Sequence, residues 1–101
     1  MIKPKIQSIH FDADQKLIDF IQAKMDKLGH YYDRIIDSEI YLRLDKNGTN
    51  ENKIAEIKIA IPGHDFFAKK QCKTFEEATD TAVDALKKQL TKYKGKLRKV
   101  A

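Results

Sequence analysis

Positive charge is concentrated in one short segment of this chain, residues 87–99, with the sequence KKQLTKYKGKLRK. Seven of its residues are lysine or arginine, and none is acidic. The whole chain has a net charge of +5, whereas residues 1–86 hold 13 basic and 15 acidic side chains. Lysines grouped without carboxylates between them neutralise phosphate groups. This segment is therefore the first candidate for a binding site on an otherwise slightly acidic chain.

The helix dipole offers a simpler explanation for lysines near the end of a helix. Its favourable effect on cations fades within about one turn, so two or three lysines would satisfy it. Seven cations over roughly three turns repel one another, whereas helices that need only solubility usually mix both signs of charge four residues apart. We therefore favour binding of a polyanion, and a solvated tail is the alternative.

The opposite side of the same segment helps to choose between polyanions. Apolar residues recur there at helical spacing: Leu86, Leu90, Tyr93 and Leu97. A helix lying on a membrane would use such a stripe to contact lipid, but the core of so short a chain needs it for packing. Nucleic acid fits better, because lysines bind phosphates without reading sequence and folded RNA is recognised largely through its backbone and shape.

Side chains that could support catalysis or metal binding are scattered along the chain. His10, His30 and His64 lack metal-ligand spacing, and no histidine forms a motif with Cys72, which predicts an inert, partly buried thiol. A single cysteine cannot form an internal disulfide, and this favours a reducing, cytoplasmic compartment. The sequence has neither a glycine-rich phosphate loop nor a paired-carboxylate signature, so we predict no catalytic residues, metal site, cofactor or small-molecule substrate.

The length of 101 residues is sufficient for one packed core. We predict a single domain over residues 1–101 and expect a monomer in the free state. No run of about 18 apolar residues is present, so the sequence predicts no membrane span. The first residues lack the apolar stretch of a signal peptide.

A first amphipathic helix is predicted over residues 15–30. Its apolar positions fall on one arc: Leu17, Ile18, Ile21, Met25, Leu28 and Tyr32. Asp12 or Asp14 can cap its start, and Gly29 is well placed to end it in a left-handed cap.

A second amphipathic helix begins after Thr74, which forms a capping-box pattern with Glu77. Its apolar stripe continues through the basic segment and consists of Ala78, Ala82, Val83, Leu86, Leu90, Tyr93 and Leu97. We expect fraying beyond Gly95, since glycine weakens a helix by about 1 kcal/mol relative to alanine.

Four segments favour strands. Residues 2–11 alternate imperfectly, as a bulge would explain, and the buried face of residues 66–72 is left open by their pattern. The two central strands alternate clearly, with Ile36, Ser38, Ile40, Leu42 and Leu44 on one face of the first and Ile57, Ile59 and Ile61 on one face of the second. Turns are predicted at residues 45–53, tightest at Asn47-Gly48, and at residues 62–65.

The order β-α-β-β-β-α, with half-buried strands, predicts an α+β fold. We expect a four-stranded sheet with two amphipathic helices packed on one face. If the helices lie side by side, Lys24 and Lys27 of the first helix would extend the basic surface of the second. Ordinary solvated lysines are the alternative for that pair.

Two segments resemble a known family. Residues 16–35 (KLIDFIQAKMDKLGHYYDRI) and residues 84–99 (DALKKQLTKYKGKLRK) are similar to the ribosome hibernation-promoting factors, also called the ribosome-associated inhibitor or sigma-54 modulation family. The resemblance covers nearly the whole chain, and the β-α-β-β-β-α order is the fold of that family. The most specific parts are Leu90-Thr91-Lys92 with the lysines after it, Ala23-Lys24, and residues 32–35.

The resemblance implies a binding place and a role. Such proteins bind the small ribosomal subunit in the channel that messenger and transfer RNAs occupy, and they block translation and preserve idle ribosomes during starvation. Basic residues of both helices contact ribosomal RNA. The positions of this chain that match basic places in the family pattern are Lys24, Lys27, Arg34, Lys87, Lys88, Lys92, Lys94, Lys96 and Arg98.

Long members of the family carry a second, C-terminal domain that pairs ribosomes into dimers. This chain ends after the basic helix, so we expect a short member. Short members that promote ribosome dimers act with a separate ribosome modulation factor, so the resemblance leaves open both dimer promotion by this chain and that factor as a partner. Two other functions are left open: a generic binder of double-stranded RNA or DNA, and a protein-interaction module whose basic helix docks on an acidic partner.

Overall fold

The computed structural model describes residues 3–46 and 50–100, and side chains as far as residue 95. These residues form four strands and two helices in the predicted order. They are β1 (Lys5–Ser8), α1 (Gln15–Tyr31), β2 (Asp37–Leu44), β3 (Lys53–Ile61), β4 (His64–Cys72) and α2 (Phe75–Val100). The strands lie in the order β1-β2-β3-β4, with β1 parallel to β2 and the other pairs antiparallel. The predicted fold is confirmed.

The core lies between one face of the sheet and the two helices. Both helices and the two central strands, β2 and β3, contribute fully buried side chains: Ile21, Met25, Ile40, Leu42, Ile57, Ile59, Leu86 and Leu90. The other face of the sheet is polar, where Glu56 pairs with Arg43 and lies 3.9 Å from the Lys69 ammonium. The alternation of β2 and β3 therefore predicted correctly that one face is buried and the other is solvated.

The start of α1 follows one of the two predicted caps. The Asp14 carboxylate accepts a hydrogen bond of 2.8 Å from the Leu17 amide, so Asp14 and not Asp12 is the N-cap. The predicted end at Gly29 is wrong, because the helix continues through this residue to Tyr31. Leu28 and Tyr32 are both buried, and their packing holds the last turn in helical form before Tyr32 adopts an extended backbone.

The first strand is shorter than predicted. It ends at Ser8, and His10 then adopts a left-handed backbone with a φ of 66°. Phe11 leaves the sheet and stacks on Phe75 at the start of α2, with ring centroids 4.9 Å apart. A turn, rather than a bulge, therefore interrupts the alternation of residues 2–11. Ile2 lies outside the described residues.

Two predicted core positions of β2 are exposed. Ser38, Ile40 and Leu42 are buried as expected, but Ile36 is 68% exposed and Leu44 is 43% exposed. Ile36 directly precedes β2 and Leu44 is its last residue, and the core does not cover either position. The sequence pattern did not indicate which face of β4 is buried. In the structure Phe66 and Ala68 are buried, whereas Phe67 is 53% exposed.

The hairpin between β3 and β4 is tighter than predicted. Only Pro62 and Gly63 separate the strands, and β4 already includes His64. Gly63 has a φ of 78°, a left-handed conformation that glycine adopts without steric conflict after a proline in a type II turn. The predicted turn at Asn47-Gly48 lies outside the described residues.

The start of α2 agrees with the capping pattern. Thr74 Oγ1 accepts a hydrogen bond of 3.0 Å from the Glu77 amide. The helix continues through Gly95 to Val100. Its docked side contains Ala78, Ala82, Leu86 and Leu90, all fully buried, which confirms this part of the predicted stripe. The Leu97 side chain lies outside the described ones.

Candidate nucleic-acid interface

Helices α1 and α2 pack side by side over the sheet. Lys24 and Lys27 of α1 line a shallow groove together with Lys87 of α2, and the groove has a volume of 120 Å³. The condition for Lys24 and Lys27 to extend the basic surface of α2, that the two helices lie side by side, is therefore met. We call this surface the basic face. It comprises Lys24, Lys27, Lys87, Lys88, Lys92 and Lys94.

The side of α2 opposite the lysines is held by packing. Leu86 and Leu90 are buried, and the Tyr93 ring contacts the rings of His64 and Phe66 with centroids 5.4 and 5.6 Å away. The stripe that a membrane-bound helix would offer to lipid thus contacts the protein core as far as Tyr93. Within the described residues, neither helix is long and apolar enough to cross a membrane.

Lys24 has an acidic partner from the other helix. Its ammonium lies 2.6 Å from a carboxylate oxygen of Asp80. It also lies 5.5 Å from the centroid of the Phe20 ring. Asp80 belongs to the acidic first half of α2, so this ion pair marks the boundary between the acidic and basic parts of the helix pair. Lys27, one turn further along α1, is exposed.

Lys87 and Lys94 form an inner pair on the basic face. Their ammonium groups lie 4.9 and 4.7 Å from the centroid of the Tyr31 ring, at the end of α1. Lys94 also lies 5.6 Å from the Tyr32 ring and 3.5 Å from the Tyr31 carbonyl oxygen. The Tyr31 hydroxyl hydrogen bonds to Thr91, which lies between the two lysines on α2. These contacts join the two helices at the centre of the basic face.

Lys88 and Lys92 form an outer pair. Both are exposed, and they line a shallow surface with Asp84, Lys87 and Thr91. Within the described residues no aromatic ring lies over either ammonium group. The basic face is therefore divided into an inner pair held by Tyr31 and an outer pair directed to solvent.

The other predicted positions are less closely connected to the basic face. Arg34 is exposed in the turn after α1. It lies two residues after Tyr32, whose ring centroid is 5.6 Å from the Lys94 ammonium. The side chains of Lys96 and Arg98 lie outside the described ones. Their assignment to the site stays a prediction.

Tyr31, Thr91 and Asp80 were missed at the sequence level. Lys87, Thr91 and Lys94 are four and three residues apart, a spacing that places them on one stripe of a helix. That spacing could have indicated that a partner covers the stripe. It could not have identified Tyr31, because the two helices are separated by some 60 positions in sequence.

Two residues with a shifted pKa, Cys72 and Tyr41, lie on the sheet and not among the lysines of the basic face. Burial raises the pKa of the half-buried Cys72 thiol and keeps it protonated, in agreement with an inert cysteine. The nearby charge of Glu39 raises the pKa of Tyr41 on the open side of the sheet. In the described part of the chain, no group of three or more His, Cys, Asp and Glu side chains is arranged to hold a metal ion.

Known proteins resemble this chain over most of its length. Residues 5–98 match the sequence profile of the family described as "Sigma 54 modulation protein / S30EA ribosomal protein". A protein of Klebsiella oxytoca named "Ribosome hibernation promoting factor" is 34% identical over 80 residues, which cover 79% of this chain and 80% of that protein. A protein of the same name from Escherichia coli strain K12 is 32% identical over 92 residues, with 86% and 87% covered.

A solved structure supports the fold. The ribosomal subunit interface protein of Coxiella burnetii superposes with a TM-score of 0.81 at 21% identity, and the match covers 91% of this chain and 97% of that one. At this identity the likeness concerns the fold alone. The family profile spans nearly the whole chain, and the two named relatives are more than 30% identical and align over more than two thirds of their own length. The chain therefore belongs to the Sigma 54 modulation protein / S30EA ribosomal protein family, which contains the ribosome hibernation promoting factors.

Proposed function

We propose that this protein is a ribosome hibernation factor that binds the small ribosomal subunit in the channel for messenger and transfer RNA. There it inhibits translation and preserves idle ribosomes in stationary phase or stress. Family membership supports a ribosome-associated hibernation role, and the family is non-enzymatic, in agreement with the prediction from sequence. The proposed location is the cytoplasm, which contains the ribosomes.

The observation that carries the proposal is the basic face itself. Lysines of two helices share one surface, while the apolar stripe of α2 is packed against the sheet. Such a surface binds the phosphate backbone and shape of RNA rather than base sequence. The proposed contacts with ribosomal RNA are Lys24, Lys27, Arg34, Lys87, Lys88, Lys92, Lys94, Lys96 and Arg98.

Co-sedimentation with purified small ribosomal subunits tests the proposal. The protein should pellet with the subunits at about 50 mM monovalent salt and be largely released at about 200 mM, because phosphate contacts are salt-dependent. Addition of messenger RNA and initiator transfer RNA should reduce the bound fraction by competition for the channel. A protein that stays in the supernatant at the lower salt concentration would contradict the proposal.

The same assay separates the alternatives. A generic duplex binder would bind a long double-stranded RNA as tightly as the subunit and would ignore competing messenger and transfer RNA. A protein-interaction module would retain its partner after nuclease treatment. Electron cryo-microscopy of ribosomes from stationary cells would then locate the bound protein.

Asp80 provides a test of how the acidic boundary limits RNA binding. Asp80→Asn removes the carboxylate that pairs with the Lys24 ammonium, so the lysine becomes free to contact a phosphate. Exposed ion pairs contribute about 0–1 kcal/mol, which corresponds to at most about a fivefold change in affinity. We expect the dissociation constant for small subunits to fall by about twofold to fivefold at fixed salt.

Glu76→Gln is the matched control for this variant. It removes the same charge from an exposed position of α2, one turn before Asp80 and farther from the basic segment. It should change the dissociation constant by less than Asp80→Asn does. Equal effects of the two substitutions would mean that only the net charge matters and that the Lys24–Asp80 pair has no specific role.

A further inference from the structure

Tyr31 lies at the centre of the basic face and carries no charge of its own. Its ring has the ammonium groups of Lys87 and Lys94 within 4.9 and 4.7 Å of its centroid. Thr91 donates a hydrogen bond of 2.8 Å to the Lys87 carbonyl oxygen, so in the Tyr31–Thr91 contact the tyrosine hydroxyl is the donor. One aromatic residue of α1 thus contacts three successive members of one stripe of α2.

The position of the ring changes the behaviour of the two lysines. A lysine side chain on a helix surface samples many rotamers, and it loses this freedom when its ammonium binds a phosphate. An ammonium already attracted to the face of an aromatic ring has less freedom left to lose. The negative charge of the ring's π-system attracts both ammonium groups and so offsets part of their mutual repulsion.

We propose that Tyr31 is a positioning residue that holds Lys87 and Lys94 as a pre-formed pair for phosphates of the RNA backbone. The inference rests on the proposed function, since it assigns the basic face to RNA. Lys88 and Lys92 contribute charge without this preorganisation. Tyr31 itself makes no phosphate contact, because its hydroxyl proton is directed to Thr91 and its ring is occupied by the lysines.

This role leads to a distinctive salt dependence. Log affinity falls linearly with log salt concentration, and each lysine that neutralises a phosphate makes this negative slope steeper by about one unit. Loss of a positioning residue weakens binding but leaves the number of neutralised phosphates unchanged. Loss of a lysine that contacts a phosphate makes the slope shallower and also lowers the affinity.

The experiment measures binding of a fluorescein-labelled 20-nucleotide RNA hairpin by anisotropy at several potassium chloride concentrations. Tyr31→Leu is expected to raise the dissociation constant by about fivefold to tenfold with the slope unchanged. Tyr31→Phe, which keeps the ring, should stay within about twofold of the wild type. Lys87→Ala should lower the slope by about one unit.

A double-mutant cycle separates positioning from a general structural effect. In a Lys87→Ala/Lys94→Ala background, Tyr31→Leu should cause no further loss of affinity, because the residues through which it acts are absent. Thermal melting checks that each variant is folded at the assay temperature. If Tyr31→Leu is unfolded there, Tyr31→Met replaces it, because this side chain keeps apolar bulk without a ring.

The inference is overturned if Tyr31→Leu binds the hairpin like the wild type, or if the loss is the same in both backgrounds. It is also overturned if Tyr31→Phe is as weak as Tyr31→Leu, since the ring would then not be the cause. Repeating the titration with purified small subunits separates this inference from the proposed function. A wild type that binds the hairpin with the predicted Tyr31 dependence, but not the subunits, contradicts the proposed function alone.

Discussion

Simultaneous replacement of Lys87, Lys88, Lys92 and Lys94 by glutamate is expected to abolish co-sedimentation with small ribosomal subunits. The four substitutions remove the part of the basic face that α2 contributes and change the net charge of the chain from +5 to −3. Each lost lysine removes a salt-dependent phosphate contact, and each new carboxylate repels the backbone. We expect the dissociation constant to rise by more than about a thousandfold at about 100 mM salt.

A control with the same change in charge shows whether the location of the lysines matters. Lys3, Lys5, Lys46 and Lys73 are exposed and lie outside both helices. Their replacement by glutamate gives the same net charge of −3 but leaves the basic face intact. This control should retain most of its binding to the subunit. Equal loss in both variants would indicate non-specific attraction to RNA, and full binding by the first variant would exclude the basic face as the contact surface.

Replacement of Leu90 by alanine is expected to lower the free energy of unfolding by about 2–5 kcal/mol. Leu90 has no exposed surface and lies one turn from both Lys87 and Lys94. Its truncation removes buried apolar contacts and leaves a cavity between α2 and the sheet. For a domain of this size each kcal/mol lowers the melting temperature by about 4–8 °C. Urea denaturation and thermal melting both measure the effect.

Lys88→Ala is the matched control, since its side chain is exposed two residues away on the same helix. Exposed substitutions usually change stability by less than about 0.5 kcal/mol. We therefore expect Leu90→Ala to lower the free energy of unfolding, and Lys88→Ala to lower only the affinity for RNA. An unchanged unfolding transition in Leu90→Ala would contradict the docking of this part of α2 on the core.

Local patterns carried the prediction of the elements. The helical period of α2 places apolar and basic residues on opposite sides of one helix, and both properties depend only on spacing within the segment. The period of two in β2 and β3 similarly separates the buried from the solvated face. Their order along the chain, combined with the need to bury one face of each, restricts the fold to helices packed on a sheet.

Local signals failed where packing competes with them. Gly29 has the intrinsic preference of a helix terminator, yet the burial of Leu28 and Tyr32 on either side keeps it helical. Ile36 fits the alternation of β2 but is exposed, because periodicity does not indicate where the helices cease to cover the strand. In β4 two adjacent phenylalanines satisfy either face, and only the neighbouring strand and helix select Phe66 for the core.

The sequence by itself determined that a basic surface exists on the second helix, because charge and helical period are properties of consecutive residues. Only the tertiary structure decided how that surface is organised. It placed Lys24 against Asp80 and placed the Tyr31 ring beside Lys87 and Lys94. These contacts join residues some 60 positions apart, and their geometry depends on how both helices pack on a shared sheet. The division of the basic face into held and free lysines is therefore a consequence of packing, which no local pattern encodes.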